Sequence, residues 1–75
     1  MAQRLPSLNS KQVIRALERA GFYQRRQTGS HLILRKEGLE RPTPVPIHSG
    51  DIPRKLVLQI IKEAGLTVEE FLELL

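Results

Sequence analysis

Phe22-Tyr23-Gln24-Arg25-Arg26-Gln27, then Thr28-Gly29-Ser30, then His31-Leu32-Ile33-Leu34-Arg35-Lys36, is the stretch whose reading decides the fold. Two runs of strand-forming residues flank a short connection that contains glycine. That pattern predicts a β-hairpin, because tight strand connections need positive φ and glycine supplies it without steric cost. Side chains alternate along a strand, so Leu32 and Leu34 share one face while His31, Ile33 and Arg35 share the other. The leucine face requires a cover, and His31 lies on the face turned away from it.

The segments on either side supply that cover. Asn9 stands three residues before Gln12, and Leu8 is placed to staple against Val13, two signals of a helix start. Val13, Ile14, Leu17 and Ala20 recur at helical spacing, with Lys11, Arg15, Glu18 and Arg19 facing elsewhere, and Gly21 is placed to end the helix. After the hairpin, Glu37 to Pro42 reads as a loop, and Val45 and Ile47 alternate with Pro44 and Pro46 as a third strand. Proline has no N–H to give to a ladder, so this strand belongs at a sheet edge. Ser49-Gly50-Asp51 reads as a turn with Asp51 as helix cap and Pro53 in the first turn. The helix then runs to Ala64, with Leu56, Val57, Ile60, Ile61 and Ala64 on its apolar face and Gly65 at its end. Thr67-Val68-Glu69-Glu70 is a capping box, and Val68, Phe71, Leu72 and Leu75 share a stripe that packs on the domain or on a partner. The expected architecture is α+β: an α-β-β-β-α two-layer domain over residues 1–75, with two helices on one face of a small antiparallel sheet and a short C-terminal helix.

Charge is distributed unevenly along the 75 residues. Residues 1–36 carry eight basic side chains against Glu18 alone, a net of +7. Residues 37–62 are close to balanced at +1, and residues 63–75 hold four glutamates and no base. A one-sided positive field draws polyanions, which leaves a nucleic acid or an acidic protein as the natural partner. Cysteine is absent, which removes disulfides, thiol nucleophiles and Cys-based zinc sites and suits a reducing cytoplasm. The segment Met1 to Pro6 has no apolar core of a secretion signal, and no stretch approaches the roughly 20 apolar residues of a membrane span. A soluble, cytoplasmic protein is therefore expected.

Gly29-Ser30-His31 after a helix ending in Ala20-Gly21-Phe22, with Val45-Pro46-Ile47-His48 before a helix ending in Ala64-Gly65-Leu66, resembles the HicA family over nearly the whole chain. The resemblance implies a fold similar to double-stranded RNA-binding domains. It also implies a toxin of a toxin–antitoxin pair, an endoribonuclease that cuts mRNA and so stops translation and growth, and a HicB-like acidic antitoxin as its partner. The family's catalytic residue is the histidine of the Gly-Ser-His turn, which carries over to His31. The chain departs from the family in having Leu32 and a long charged loop, Glu37 to Arg41.

The chemistry suits the residue type. RNA carries its own nucleophile, the 2′-hydroxyl, and needs only a base to take that proton and an acid to protonate the leaving oxygen. Histidine serves in either role near neutral pH, and positioned proton transfer is worth about 10²–10⁴-fold. Arg26, Arg35 and Lys36 are the nearest cations in sequence that can stabilise the charged phosphorane. His48 is either the complementary acid or base, or a hydrogen-bonding residue beside Ser49-Gly50-Asp51. Two histidines and scattered carboxylates fall short of a metal site, so neither metal nor cofactor is expected. For RNA contact the expected track is the basic face of helix one, Lys11, Arg15 and Arg19, because a double-stranded RNA-binding domain touches backbone and 2′-hydroxyl groups largely by shape, with Arg25, Arg26, Gly29, Ser30, Arg35 and Lys36 as further contacts. Each has a plainer reading. Lys and Arg belong on solvated helix faces, Gly29 serves the turn, and serine is as common in turns as at phosphates. With Tyr23 the sole tyrosine, there is no row of aromatics for bases to stack on. Two further functions fit the same charge pattern: a non-catalytic RNA-binding module, and a basic interaction domain for an acidic partner.

Overall fold

The structure, a computed structural model, describes residues 5–75. Arg4 and most of the N-terminal segment read above for a secretion signal lie outside the described residues. Helix α1 spans Ser10–Arg19 and starts on a reciprocal cap. Asn9 Oδ1 accepts from the Gln12 N–H, and Gln12 Oε1 accepts from the Asn9 N–H, both at 2.9 Å. Two of the donors that a helix N-terminus leaves orphaned are thereby satisfied. The helix ends because Gly21, at φ 103°, turns the chain left-handed and lets the Phe22 N–H reach the Leu17 carbonyl at 3.0 Å.

Strands β1 (Tyr23–Thr28), β2 (His31–Arg35) and β3 (Thr43–Pro46) form one antiparallel sheet in the order β1-β2-β3. Thr28 pairs with His31, so the turn is Gly29-Ser30 alone, one residue shorter than the sequence suggested. Gly29 takes φ 53° and Ser30 does not go positive, the pattern of a II′ hairpin turn.

Between Gln24 and Arg26 the β1–β2 register shifts by one residue, leaving Arg25 as the extra residue of a β-bulge. Strict alternation back from Thr28 would point Phe22 out and Tyr23 in. The bulge reverses both, so Phe22 is buried and Tyr23 is 52% exposed. It also aims Gln24 at the helix layer, where Gln24 Nε2 donates to Glu18 Oε2 at 3.0 Å.

The third strand starts two residues earlier than Val45 and ends at Pro46, although the Ile47 N–H still reaches the Ser30 carbonyl. It is an edge strand, as its prolines require. Because Ile47 points its N–H at β2, Val45 does the same, and Pro44 and Pro46 occupy the outward positions where no donor is needed.

Helix α2 spans Arg54–Glu63, and here the sequence reading needs correction. Asp51 does not cap it. The N-cap is Pro53, without a side-chain cap bond, and Asp51 instead forms an isolated bridge with Asn9. The reason is Ile52, which is buried and donates its N–H to the Leu8 carbonyl at 2.8 Å. That anchor ties residues 51–52 to the strand-like segment before α1, so the chain cannot turn helical until Pro53. Helix α3, Val68–Glu73, has the expected capping box between Thr67 and Glu70, and Phe71 is fully buried.

All core residues lie on one side of the sheet. Leu32, Leu34 and Val45 meet Val13, Ala16 and Leu17 of α1 and Val57, Ile60 and Ile61 of α2 in one cluster, which Phe71 completes. The molecule is only 17 Å across its shortest axis. That is one helix layer on one sheet, and the opposite face of the sheet is bare.

Candidate active site

The register fixes what stands on the bare face. Residues paired across an antiparallel ladder point the same way, so the rows are Thr28–His31, Arg26–Ile33–Pro44 and Tyr23–Arg35, with Pro46, the partner of His31 on β3, buried at the sheet edge. The intervening rows, Gln27–Leu32–Val45 and Gln24–Leu34–Thr43, face the helices. The alternation expected from the sequence therefore holds along β2, with a burial pattern that buries Leu32 and Leu34 and leaves His31 exposed.

His31 opens β2 directly after the hairpin turn. Ser30 Oγ lies 3.5 Å from His31 Nδ1, which turns Nε2 away from the serine. Arg26 is the cation nearest to it on this face. The two are diagonal neighbours across the β1–β2 pair, a separation of about 7–8 Å between backbones. Arg35 stands four residues along the same strand, about 13 Å away at the usual rise. Lys36 is elsewhere: its Nζ sits 5.6 Å from the centre of the Phe22 ring, at the end of β2 remote from His31. Arg25 is the bulge residue and is exposed.

The helix cations form a separate group. Lys11 and Arg15 are exposed on the side of α1 turned from its buried residues Val13, Ala16 and Leu17, and so on the helix side of the molecule, whereas Glu18 reaches down the flank of α1 to Gln24 of β1. Arg19 is partly committed, with Nη1 donating to the Leu74 carbonyl at 2.7 Å and tying α1 to the end of α3. Thus the structure brings together His31, Arg26 and Arg35 but not Lys11, Arg15 or Arg19. Missed in the sequence was Tyr23, which shares the face with His31 only because of the bulge. The signal that could have found it was the demand of Phe22 for burial, which conflicts with simple alternation from the turn.

His48 is exposed beyond the end of β3. Its Nδ1 lies 3.0 Å from the Ser49 carbonyl, and its backbone N–H faces Ser10 Oγ at 3.5 Å. It lines a shallow apolar cleft with Lys11, Ile14 and Ile47, of which His31 is not a part. Among the described residues no three His, Cys, Asp or Glu side chains gather into a metal-binding group. No helix among them is long and apolar enough to cross a membrane.

Residues 10–66 match the family described as HicA toxin of bacterial toxin–antitoxin systems. The chain belongs to the HicA toxin family. The matched span holds the whole sheet, α1 and α2, and the Gly29-Ser30-His31 turn, and it ends before α3. Among solved structures, a chain of a toxin–antitoxin complex from Streptococcus pneumoniae is similar to this HicA chain at 31% identity and a TM-score of 0.64. The likeness covers 81% of this chain and 100% of that one. No curated protein sequence matches.

Proposed function

We propose that this HicA-family toxin is an endoribonuclease that cuts mRNA, with His31 handling the proton of the ribose 2′-hydroxyl. The observation that carries the reading is the exposure of His31 on a bare sheet face with Arg26 one diagonal step away. With Nδ1 beside Ser30 Oγ, Nε2 is the nitrogen that meets the substrate. It takes the 2′-hydroxyl proton as the 2′-oxygen bonds to the adjacent phosphorus and the bond from phosphorus to the 5′-oxygen breaks. The departing oxygen is protonated by water, and the imidazolium returns that proton to the hydroxide formed. The fragments end in a 2′,3′-cyclic phosphate and a 5′-hydroxyl. Arg26 offsets the charge that builds on the phosphorane, an effect strongest where water is excluded. No step requires a metal.

The antitoxin partner proposed is an acidic protein of HicB type that covers His31 and the arginines of this face. The toxin then acts on cytoplasmic mRNA when the antitoxin is lost. The test is purified protein incubated with RNA in the presence of EDTA, beside His31→Ala and His48→Ala. Fragments from the wild type and from His48→Ala, and none from His31→Ala, are expected. Cutting by His31→Ala at the wild-type rate would refute the assignment, and RNA binding without fragments from any form would favour a non-catalytic module.

A further inference from the structure

The family reading leaves open where the RNA lies, and the sheet and the helix layer offer two cationic surfaces that face opposite ways. We infer that RNA lies as a single strand across the bare face of the sheet, with phosphates at Arg26 and Arg35 and one base stacked on Tyr23. This rests on the nuclease reading of His31 and adds to it a track and a positioning residue.

Three observations favour the sheet. The first is charge. The outward positions Tyr23, Arg26, Thr28, His31, Ile33, Arg35 and Pro44 include two arginines, a histidine and no carboxylate. On α1, by contrast, Glu18 accompanies Lys11 and Arg15, and Arg19 is held by the Leu74 carbonyl. The second is Tyr23, a residue 52% exposed on the same face as the histidine. An aromatic ring beside a cationic track is what sequence-tolerant binding of single strands uses, since every base has a π-face.

The third observation is what surrounds Tyr23. It lines a shallow cleft with Arg35, Lys36, Glu37 and Glu40. Two cations and two carboxylates balance there, which suits a neutral base better than a second phosphate. The cationic stripe therefore runs from His31 past Arg26 to Arg35, and the strand is anchored by stacking where the net positive charge stops.

The chemistry at His31 points the same way. Attack by a 2′-oxygen on its neighbouring phosphorus needs the 5′-oxygen in line behind it. A regular A-form duplex holds these atoms out of line, whereas a single strand pulled across a flat surface can bring them into line. A paired base is also unavailable for stacking on Tyr23.

The chain offers a direct reporter, because Tyr23 is its only tyrosine and it has no tryptophan. The experiment titrates a mixed-sequence single-stranded oligoribonucleotide into His31→Ala protein, so that binding is read without cutting, and follows tyrosine fluorescence. Quenching on binding is expected; affinities of all variants are read from the anisotropy of a 5′-labelled oligoribonucleotide, with Tyr23→Leu weakening binding about 5- to 150-fold and Tyr23→Phe retaining it. Arg26→Gln and Arg35→Gln should each lower the slope of log K against log salt by about 0.7. A blunt-ended RNA duplex should bind more weakly than the single strand. No quenching, equal binding by Tyr23→Leu, or a larger loss from Lys11→Gln with Arg15→Gln than from the two sheet arginines would overturn the placement. So would a face that answers only to an acidic partner protein. If wild-type protein cuts RNA but Tyr23→Leu binds as tightly, this inference fails and the nuclease stands. If quenching appears and no fragments form, the track stands and the nuclease reading fails.

Discussion

Ser10 Oγ donates a 2.6 Å hydrogen bond to the Pro46 carbonyl oxygen, joining the first turn of α1 to the end of β3 across 36 residues of sequence. Pro46 is the cross-strand partner of His31. Its carbonyl points off the sheet edge, where no further strand donates to it, and Ser10 and Pro46 are both buried. Ser10→Ala leaves that carbonyl without a partner in a dry site, which costs about 1–3 kcal/mol. Urea unfolding should show the midpoint falling with the slope unchanged, and an unmoved midpoint would mean that the bond contributes nothing.

Much of this architecture is legible in the residues. The Asn9–Gln12 and Thr67–Glu70 caps, the Gly29 turn and the edge position of the Pro44–Pro46 strand each follow from local chemistry that tertiary context does not override. The side of β2 that carries His31 is legible too, because a period of two leaves no choice once Leu32 and Leu34 are buried. What is not legible depends on contacts distant in the chain. The start of α2 is set by Ile52 anchoring to Leu8, not by the polar Asp51. The assembly of Tyr23, Arg26 and His31 on one face depends on a single bulge.

That bulge is itself testable. Removing Arg25 takes out the one unpaired residue, so Tyr23, Gln24 and Arg26 keep Arg35, Leu34 and Ile33 as partners in a regular ladder, with Phe22 still in the core and Tyr23 still outside. Deletion of Arg25 should therefore leave a folded protein by circular dichroism, as should Arg25→Ala, which keeps the bulge. A largely unfolded deletion protein would show that the bulge does more than set the faces of Phe22 and Tyr23.

Thr43 Oγ1 is fully buried opposite Leu34 and has no hydrogen-bond partner. A hydroxyl in such a place carries its desolvation cost without return. Thr43→Val keeps the shape and the β-branched preference for a strand while removing the orphaned group. It should raise stability by about 1 kcal/mol, or about 4–8 °C in melting temperature for a domain of this size. Thr43→Ser, which keeps the hydroxyl and loses a methyl, should lower it.

Helix α3 lies outside the span matched by the family, yet Phe71 is fully buried in the common core and Arg19 holds the Leu74 carbonyl. We expect α3 to be an integral part of the domain. Phe71→Ala should cost about 3–5 kcal/mol, the range for an aromatic ring removed from a packed core. Arg19→Ala, at an exposed site, should cost under 1 kcal/mol. A Phe71→Ala protein with an unchanged thermal transition would show that α3 rests on the domain without supporting it.

The final prediction separates the chemistry of His31 from the attraction of the surface around it. A DNA oligonucleotide presents the same phosphates to Arg26 and Arg35 and the same flat bases to Tyr23, but it lacks the 2′-hydroxyl that serves as nucleophile. It should bind with an affinity near that of RNA and a similar salt dependence, since phosphate contacts do not depend on the sugar. It should not be cut at all. A chimeric strand with one ribonucleotide in DNA should be cut only on the 3′ side of that residue, leaving a 2′,3′-cyclic phosphate that mass spectrometry identifies by its deficit of one water. Cutting of all-DNA strands would require an external nucleophile, and His31 would then have to activate water.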